Sequence, residues 1–298
     1  MSASSKYLPP ETAARVRRLE LKARRIVEGF LSGQHRSPYF GQSVEFLQHR
    51  PYVPGDELRH IDWKVWARQD RLHIKQYEEE TNFRLSLLVD ASASMAYGAG
   101  EQQKFDYAAQ LAAALALLVQ HQQDAVGLVT FADRVLKQIP ASNARHQLLR
   151  IMEALQGTTP QDAADLSSLF ASVGELLPRR GLVVVISDVL DGGPQPLAGI
   201  GRLRAAGQDC ILLHVLHADE LEFPFNGATR FEGLESSEFL NCNPRALREG
   251  YLEALHAFLE RTKRGCANLS VDYHLARTDR PAGEVIAAVA AARSRKRT

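Results

Sequence analysis

From Phe83 to the C-terminus, two hydrophobic rhythms alternate. Short β-branched runs, apolar at nearly every position, fall at 84–90, 125–131, 135–139, 182–188, 210–216 and 269–275. Between them lie longer runs in which apolar residues return about every 3.6 positions, as on one face of a helix. Those runs are 103–122, 144–155, 166–177, 197–206, 244–263 and 283–293. In the first, Phe105, Ala108, Ala112, Leu115 and Val119 line one stripe, and the many alanines allow close packing on a sheet. Strands such as LSLLVD and LVVVISD lack the polar-outward alternation of a half-exposed strand. Strands of a parallel sheet covered by helices on both faces look like this. Alternating β and α elements therefore predict an α/β fold, with a doubly wound, mostly parallel, Rossmann-type sheet and right-handed crossovers.

The chain before Phe83 has another character. Residues 13–30 form an Arg-rich segment with helical spacing, and from 31 to 80 the helical period is lost. Ser-Gly at 32–33, Pro-Gly at 54–55 and scattered aromatics, including Trp63 and Trp66, predict short strands and turns. The expected division is a helix with a small β-rich appendage over 1–82 and the sheet domain over 83–298. A second irregular stretch, 221–236, carries Asn-Gly at 226–227 between short apolar pieces, which predicts a hairpin insert.

Composition narrows the function classes. Hydrophobic residues make up 45% of the 298 positions, enough for a substantial core. With 36 basic and 35 acidic side chains, no global field favours nucleic acid or an anionic membrane. The interleaved charges and aromatics of 59–80 are offset by acids within and beside them (Asp56, Glu57, Asp62, Asp70, Glu78, Glu79 and Glu80), so an ion-pair network or a protein contact is expected there. Trp63 and Trp66 read as core anchors, the alternative being that an exposed one is an interface residue. Cys210, Cys242 and Cys266 are sparse, odd in number and without C-x-x-C spacing, as in reduced thiols. The N-terminus lacks an apolar signal core, and the longest apolar run, 111–119, is far short of the roughly 20 residues of a membrane span. A soluble, cytoplasmic protein is expected.

The candidate chemistry lies where LSLLVD runs into ASASM. Asp90, Ser92 and Ser94 follow an i, i+2, i+4 spacing, so a gently curved turn points three oxygens one way. In doubly wound sheets, ligands bind outside the carboxyl ends of the strands. One carboxylate and two hydroxyls suit a hard cation, Mg²⁺ or alternatively Mn²⁺ or Ca²⁺. So little ligand charge would leave the metal able to take a carboxylate from another molecule. Asp188 ends a second buried run, and adjacent strands would place it in the same crevice. The same motif also serves as an Asx turn or helix cap without metal. His214, His217 and Asp219 suggest zinc only weakly, since i and i+3 on a strand point to opposite faces.

Enzyme signals are sparse. No G-x-S-x-G elbow surrounds Ser92 or Ser94, no phosphate loop ends in Gly-Lys-Ser/Thr, and position 92 lacks the second acid of an aspartyl-phosphate enzyme. A non-enzymatic, metal-dependent protein-interaction module is expected. The alternatives are a metal-dependent phosphoester hydrolase at the same strand ends and a scaffold with a vestigial site.

DASAS at 90–94 resembles the D-x-S-x-S of the metal-ion-dependent adhesion site in von Willebrand factor A domains. The longer string RPYVPGDELRHIDWKVWARQDRLHIKQYEEET, residues 50–81, closely resembles the bacterial domain-of-unknown-function fifty-eight family. SGQHRSPYFGQSVEFLQHR and NPRALREGYLEALHAFLE extend that resemblance over almost the whole chain. It implies a von Willebrand A-like sheet with N-terminal decoration and an adaptor role beside a MoxR-type AAA+ ATPase in complex assembly or maturation. By the same resemblance Asp90, Ser92 and Ser94 are metal ligands and Asp188 is the acid of a later loop. One departure concerns the middle-loop threonine. GTTPQDAADLSSLF places Ala164 before Asp165 and Leu166, so either Thr158 or Thr159 substitutes or that ligand is missing.

Overall fold

The computed structural model describes residues 9–32, 45–53, 61–69, 71–78, 83–161, 173–178, 180–189, 195–234 and 239–295. Its elements are α1 (Pro10–Ser32), β1 (Glu45–Pro51), α2 (Trp63–Gln69), β2 (His73–Glu78), β3 (Arg84–Asp90), α3 (Lys104–His121), β4 (Ala125–Phe131), β5 (Val135–Ser142) and α4 (Gln147–Gln156). They continue with β6 (Leu182–Ser187), α5 (Gln195–Ala205), β7 (Asp209–Leu216), α6 (Ala218–Glu222), β8 (Thr229–Glu232), β9 (Phe239–Cys242), α7 (Pro244–Asn268), β10 (Asp272–Arg277) and α8 (Ala282–Arg295).

The central sheet runs β10-β7-β6-β3-β4-β5. Only β5 is antiparallel to its neighbour; the other pairs are parallel. The fold is the α/β, doubly wound, mostly parallel arrangement that the apolar runs predict. β3 lies at its middle, flanked by β4 and β6. Leu85 through Asp90 are all buried, as are all six residues of β6. One face carries α3 with α1, α4 and α8; the other carries α5 and α7. On that second face Leu88, Val183, Val185, Cys210 and Leu212 join Ile200 and Leu203 of α5 and Cys266 of α7 in one apolar cluster.

α3 is buried around nearly its whole circumference. The sheet lies on one side of it and α1, α4 and α8 on the others, which is why small side chains dominate its sequence. α1 explains a correction. The expected division assigned it to the appendage, but it packs with the sheet domain, and the separate unit spans only residues 39–83. Val16, Leu19, Ala23, Val27 and Phe30 form its buried stripe at three- and four-residue spacing. Burying each large apolar side chain of that stripe contributes roughly 1.5–3 kcal/mol. The helical spacing predicts this stripe, but nothing local to it tells which unit it packs against.

The separate unit holds an antiparallel β1–β2 pair with α2 between the two strands. Asp62 caps α2, accepting from the backbone N–H groups of Lys64 (2.9 Å) and Val65 (3.2 Å). Trp63 and Trp66 were expected as core anchors, yet they are 59% and 42% exposed. They sit one turn apart on the helix with their rings edge to face at 5.9 Å, while Ile61 and Ile74 bridge and are buried instead. The ends 54–60 and 79–82 of the charged stretch lie outside the described residues, as does position 70.

Two boundaries also move. The last strand begins at Asp272 rather than 269, because α7 continues to Asn268 and Ser270 turns the chain at φ 56°. Leu269 and Val271 pack into the apolar cluster from this turn. The insert does contain a hairpin, β8 paired with β9, but Asn226-Gly227 precedes it and the connection spans 233–238. Of the predicted helix 166–177, residues 166–172 lie outside the described residues, and 173–176 are helical.

Candidate metal site

β3 ends at Asp90, and the chain then bends into a short 3-10 turn, Ala93–Ala96. Asp90 Oδ1 accepts from the backbone N–H of Ser92 at 2.8 Å. The hydroxyls of Ser92 and Ser94 meet at 3.0 Å, so the i, i+2, i+4 spacing brings these oxygens together as predicted. All three residues are buried. The turn is pinned from two sides, by Ala91 N–H donating to Phe131 O (2.7 Å) and Gln161 N–H donating to Ala91 O (2.9 Å).

β6 pairs directly with β3, and the register Val89↔Ile186 brings Ser187 alongside Asp90. Ser187 Oγ donates to Asp90 Oδ2 at 2.5 Å. This contact was missed in the sequence, where its signal was a lone hydroxyl inside a β-branched run. Asp188 follows and is also buried. The two acids share one crevice: burial first, then the Asp188 charge, pushes the Asp90 pKa up to about 7, against the opposing hydrogen bonds from Ser187 and Ser92.

A second missed residue is Lys104, the first of α3, which is fully buried. Its ammonium donates to Asp188 Oδ2 at 2.7 Å and to Glu220 Oε1 at 2.8 Å. Burial opposes the charge, but Asp188 and Glu220 outweigh it and hold the lysine pKa above its usual value. A lysine in the first turn of a helix runs against the helix dipole, and that was its signal in the sequence.

The histidines have other partners. His214 is buried, with Nε2 at 2.7 Å from the Asp188 carbonyl oxygen and Nδ1 at 3.0 Å from the Tyr273 hydroxyl. Burial pushes its pKa down to about 4. His217 caps α6, its Nδ1 accepting from Asp219 N–H (3.1 Å) while Glu220 accepts from His217 N–H (2.7 Å). Tyr97 reaches across to Asp219 at 3.2 Å. Gly98, at φ +98°, has no room for a side chain: a Cβ there would lie 2.9 Å from the Gln102 carbonyl oxygen.

The middle loop lies beside the site, since Ser92 and Gln161 form a bridge. Thr158 is buried, and its hydroxyl donates to Ala154 O at 2.7 Å and contacts Thr130 Oγ1 at 3.3 Å. Thr159 is exposed and lines a neighbouring cavity. Ala164 lies outside the described residues. The donor set is thus made of hard oxygens, the Asp90 carboxylate and the two serine hydroxyls, with Asp188, paired to Lys104, beside them. Such a set fits Mg²⁺ or Mn²⁺. Among the described residues, no group of three or more His, Cys, Asp or Glu side chains gathers in a way that could hold a metal. No described helix is long and apolar enough to cross a membrane.

Comparison with known proteins gives the chain its relatives. It is 31% identical over 266 residues to an uncharacterized protein of Mycobacterium bovis, covering 86% of this chain and 83% of that one. Among solved structures it is similar to the conserved hypothetical protein BatB from Bacteroides thetaiotaomicron, with 13% identity and a TM-score of 0.46 over 72% of this chain and 99% of BatB. It is also similar to the SpRpn10 VWA domain, with 12% identity and a TM-score of 0.37 over 68% of this chain and 93% of that domain. Residues 48–260 match the family described as "Protein of unknown function DUF58", and the chain belongs to that family.

Proposed function

We propose that the chain is a non-enzymatic, divalent-metal-dependent protein-interaction module, serving as an adaptor for a MoxR-type AAA+ ATPase. The observation that carries this reading is the convergence of Asp90, Ser92 and Ser94 at the end of the central strand. Asp90 and Asp188 share the crevice, but they differ in countercharge. Asp188 is paired with Lys104, whereas Asp90 has no cation within ion-pair distance among the described residues. A bound Mg²⁺ would supply positive charge at Asp90 and an open coordination position for an acidic ligand. Asp90, Ser92 and Ser94 would hold it, with Asp188 behind. Because Lys104 offsets Asp188, the site offers little net negative charge of its own and favours a partner's carboxylate.

The arrangement offers little support for nucleophilic chemistry. Ser92 and Ser94 bond to each other, and the buried imidazole of His214 is engaged with Asp188 O and Tyr273. Thr158, which donates to Ala154 O, favours a second reading in which the chain is a scaffold whose site binds metal weakly.

Calorimetric titration of Mg²⁺ or Mn²⁺ into the wild type and Asp90→Ala tests metal binding: heat is expected only from the wild type, and equal heats would sink the proposal. Capture of a MoxR-type ATPase with and without chelator tests the adaptor role, which requires that chelation weaken capture.

A further inference from the structure

A cavity of about 460 Å³ opens beside the candidate metal site, within the sheet domain. Its walls are the segments next to the site's loops: Gly100 and Gln103 lie downstream of the Asp90–Ser94 turn, and Thr158 to Pro160 precede Gln161, which bonds to Ala91. The opposite wall is α1, which contributes Arg15, Arg18 and Lys22. Lys22 is paired with Glu101 at 2.9 Å. Arg15 and Arg18 are exposed, and neither has an ion-pair partner among the described residues. Across the site, α6 presents Asp219 and Glu220, both already engaged by Tyr97, His217 or Lys104. Arg15 acts on Asp106 and Arg18 on Glu101 across the same wall without closing to ion-pair distance, so their guanidinium donors stay open on the basic flank, while the acidic groups of α6 are occupied.

We infer that this cavity is a second anchoring point for the partner, and that the partner presents an acidic peptide segment. One carboxylate of the segment caps the metal, and another pairs with Arg15 and Arg18. The inference rests on the proposed metal-dependent function and adds the partner's chemistry and direction: its acidic residues run from the Asp90 turn toward α1. A planar guanidinium pair in a concave wall suits carboxylates, which it binds through two parallel N–H donors. A nucleic-acid backbone suits it less well. Glu101 and Asp106 line the same cavity and offset part of its three cations, which leaves enough positive charge for a single carboxylate but not the run of uncompensated cations that a nucleic-acid backbone calls for.

The test uses the full chain with fluorescently labelled ten-residue glutamate and glutamine peptides, read by anisotropy in Mg²⁺. Arg15→Glu/Arg18→Glu is compared with Arg17→Glu/Arg25→Glu, which makes the same charge change at exposed positions of α1 outside the cavity. The wild type should bind the glutamate peptide and not the glutamine one. The cavity variant should bind it roughly tenfold more weakly, while its Mn²⁺ titration and melting temperature stay at wild-type values. The control variant should bind within about twofold of wild type. Equal binding by the two variants overturns the inference. If Asp90→Ala abolishes peptide binding and the cavity variant does not, the metal reading stands and the second anchor falls. If the wild type binds Mn²⁺ but no glutamate peptide, the metal site stands and the acidic-peptide inference falls. Tighter binding of a ten-nucleotide single strand than of the peptide, lost in the cavity variant, overturns the acidic-peptide assignment.

Discussion

Asp90 and Asp188 stand at the ends of neighbouring strands, both buried, in one crevice, yet the fold treats them in opposite ways. Asp90 is held by neutral donors, the Ser92 N–H and the Ser187 hydroxyl. Asp188 is held by a full charge, the ammonium of Lys104, which also engages Glu220. A buried carboxylate with only dipoles around it stays costly when ionised, whereas one paired with a buried cation is largely compensated. The difference marks Asp90 as the acid that gains from a cation and Asp188 as part of the framework. It also ties the site to α6, because the ammonium that serves Asp188 serves Glu220 of the capping box at His217.

The most severe way to break this contrast is Lys104→Met. Without the ammonium, two acids lose their shared partner. Removing one member of a buried ion pair costs about 3–5 kcal/mol. Thermal denaturation of the metal-free protein should show that loss. Added Mn²⁺ should raise the melting temperature of the variant more than that of the wild type, because the Asp188 charge is then no longer offset by the Lys104 ammonium. A variant as stable as the wild type would mean that the buried pair does not hold the framework.

Next in size is the pair Asp90→Asn and Asp188→Asn. Loss of a direct ligand should weaken Mn²⁺ binding at least about 100-fold in Asp90→Asn, beyond the 10–100-fold typical of supporting residues. Asp188→Asn should lie within that lower range. The effects on metal-free stability at pH 8 should have opposite signs. Asp90→Asn removes an uncompensated buried charge and should raise the melting temperature, by roughly 2–4 °C per kcal/mol gained. Asp188→Asn leaves Lys104 with Glu220 alone and should lower it. Equal stability changes of one sign would erase the distinction between the two acids.

How much of this was legible in the sequence depends on how local each cause is. The six sheet strands and the Asp90, Ser92 and Ser94 cluster follow from spacing within a few residues, so the pattern revealed them. Asp188 was legible for the same reason, as the acid that ends a buried run. Lys104 was not, since its partners lie 84 and 116 residues away and only the fold brings them together. α1 was misassigned because its buried stripe follows from local spacing, whereas the unit it packs against does not. Trp63 and Trp66 were misread because residue type alone does not determine which face of a short helix is covered. The threonine question turned on a loop register: spacing leaves Thr158 and Thr159 equivalent, whereas the fold buries one against Ala154 and exposes the other.

The finest test of the contrast is the pH dependence of metal-free stability. The Asp90 pKa is raised in the folded state, so the native protein binds a proton that the unfolded chain has already released. Stability from this group is therefore present at low pH. It is lost as pH rises from the ordinary carboxylate range to about 7, above which the two states bind protons equally. His214 acts in the opposite direction. Its pKa, lowered to about 4, makes stability fall as pH drops through the range between the ordinary histidine value and about 4. The two slopes oppose each other in the wild type and flatten its curve, so the informative quantity is the difference between Asp90→Asn and the wild type. That difference cancels His214, should grow in favour of the variant as pH rises from 5 to about 7, and should then level off. Saturating Mn²⁺ should reverse it, because the wild type then gains a bound ligand that the variant cannot hold. A difference that stays flat from pH 5 to 8 would show that Asp90 is compensated by some other group, and its contrast with Asp188 would disappear.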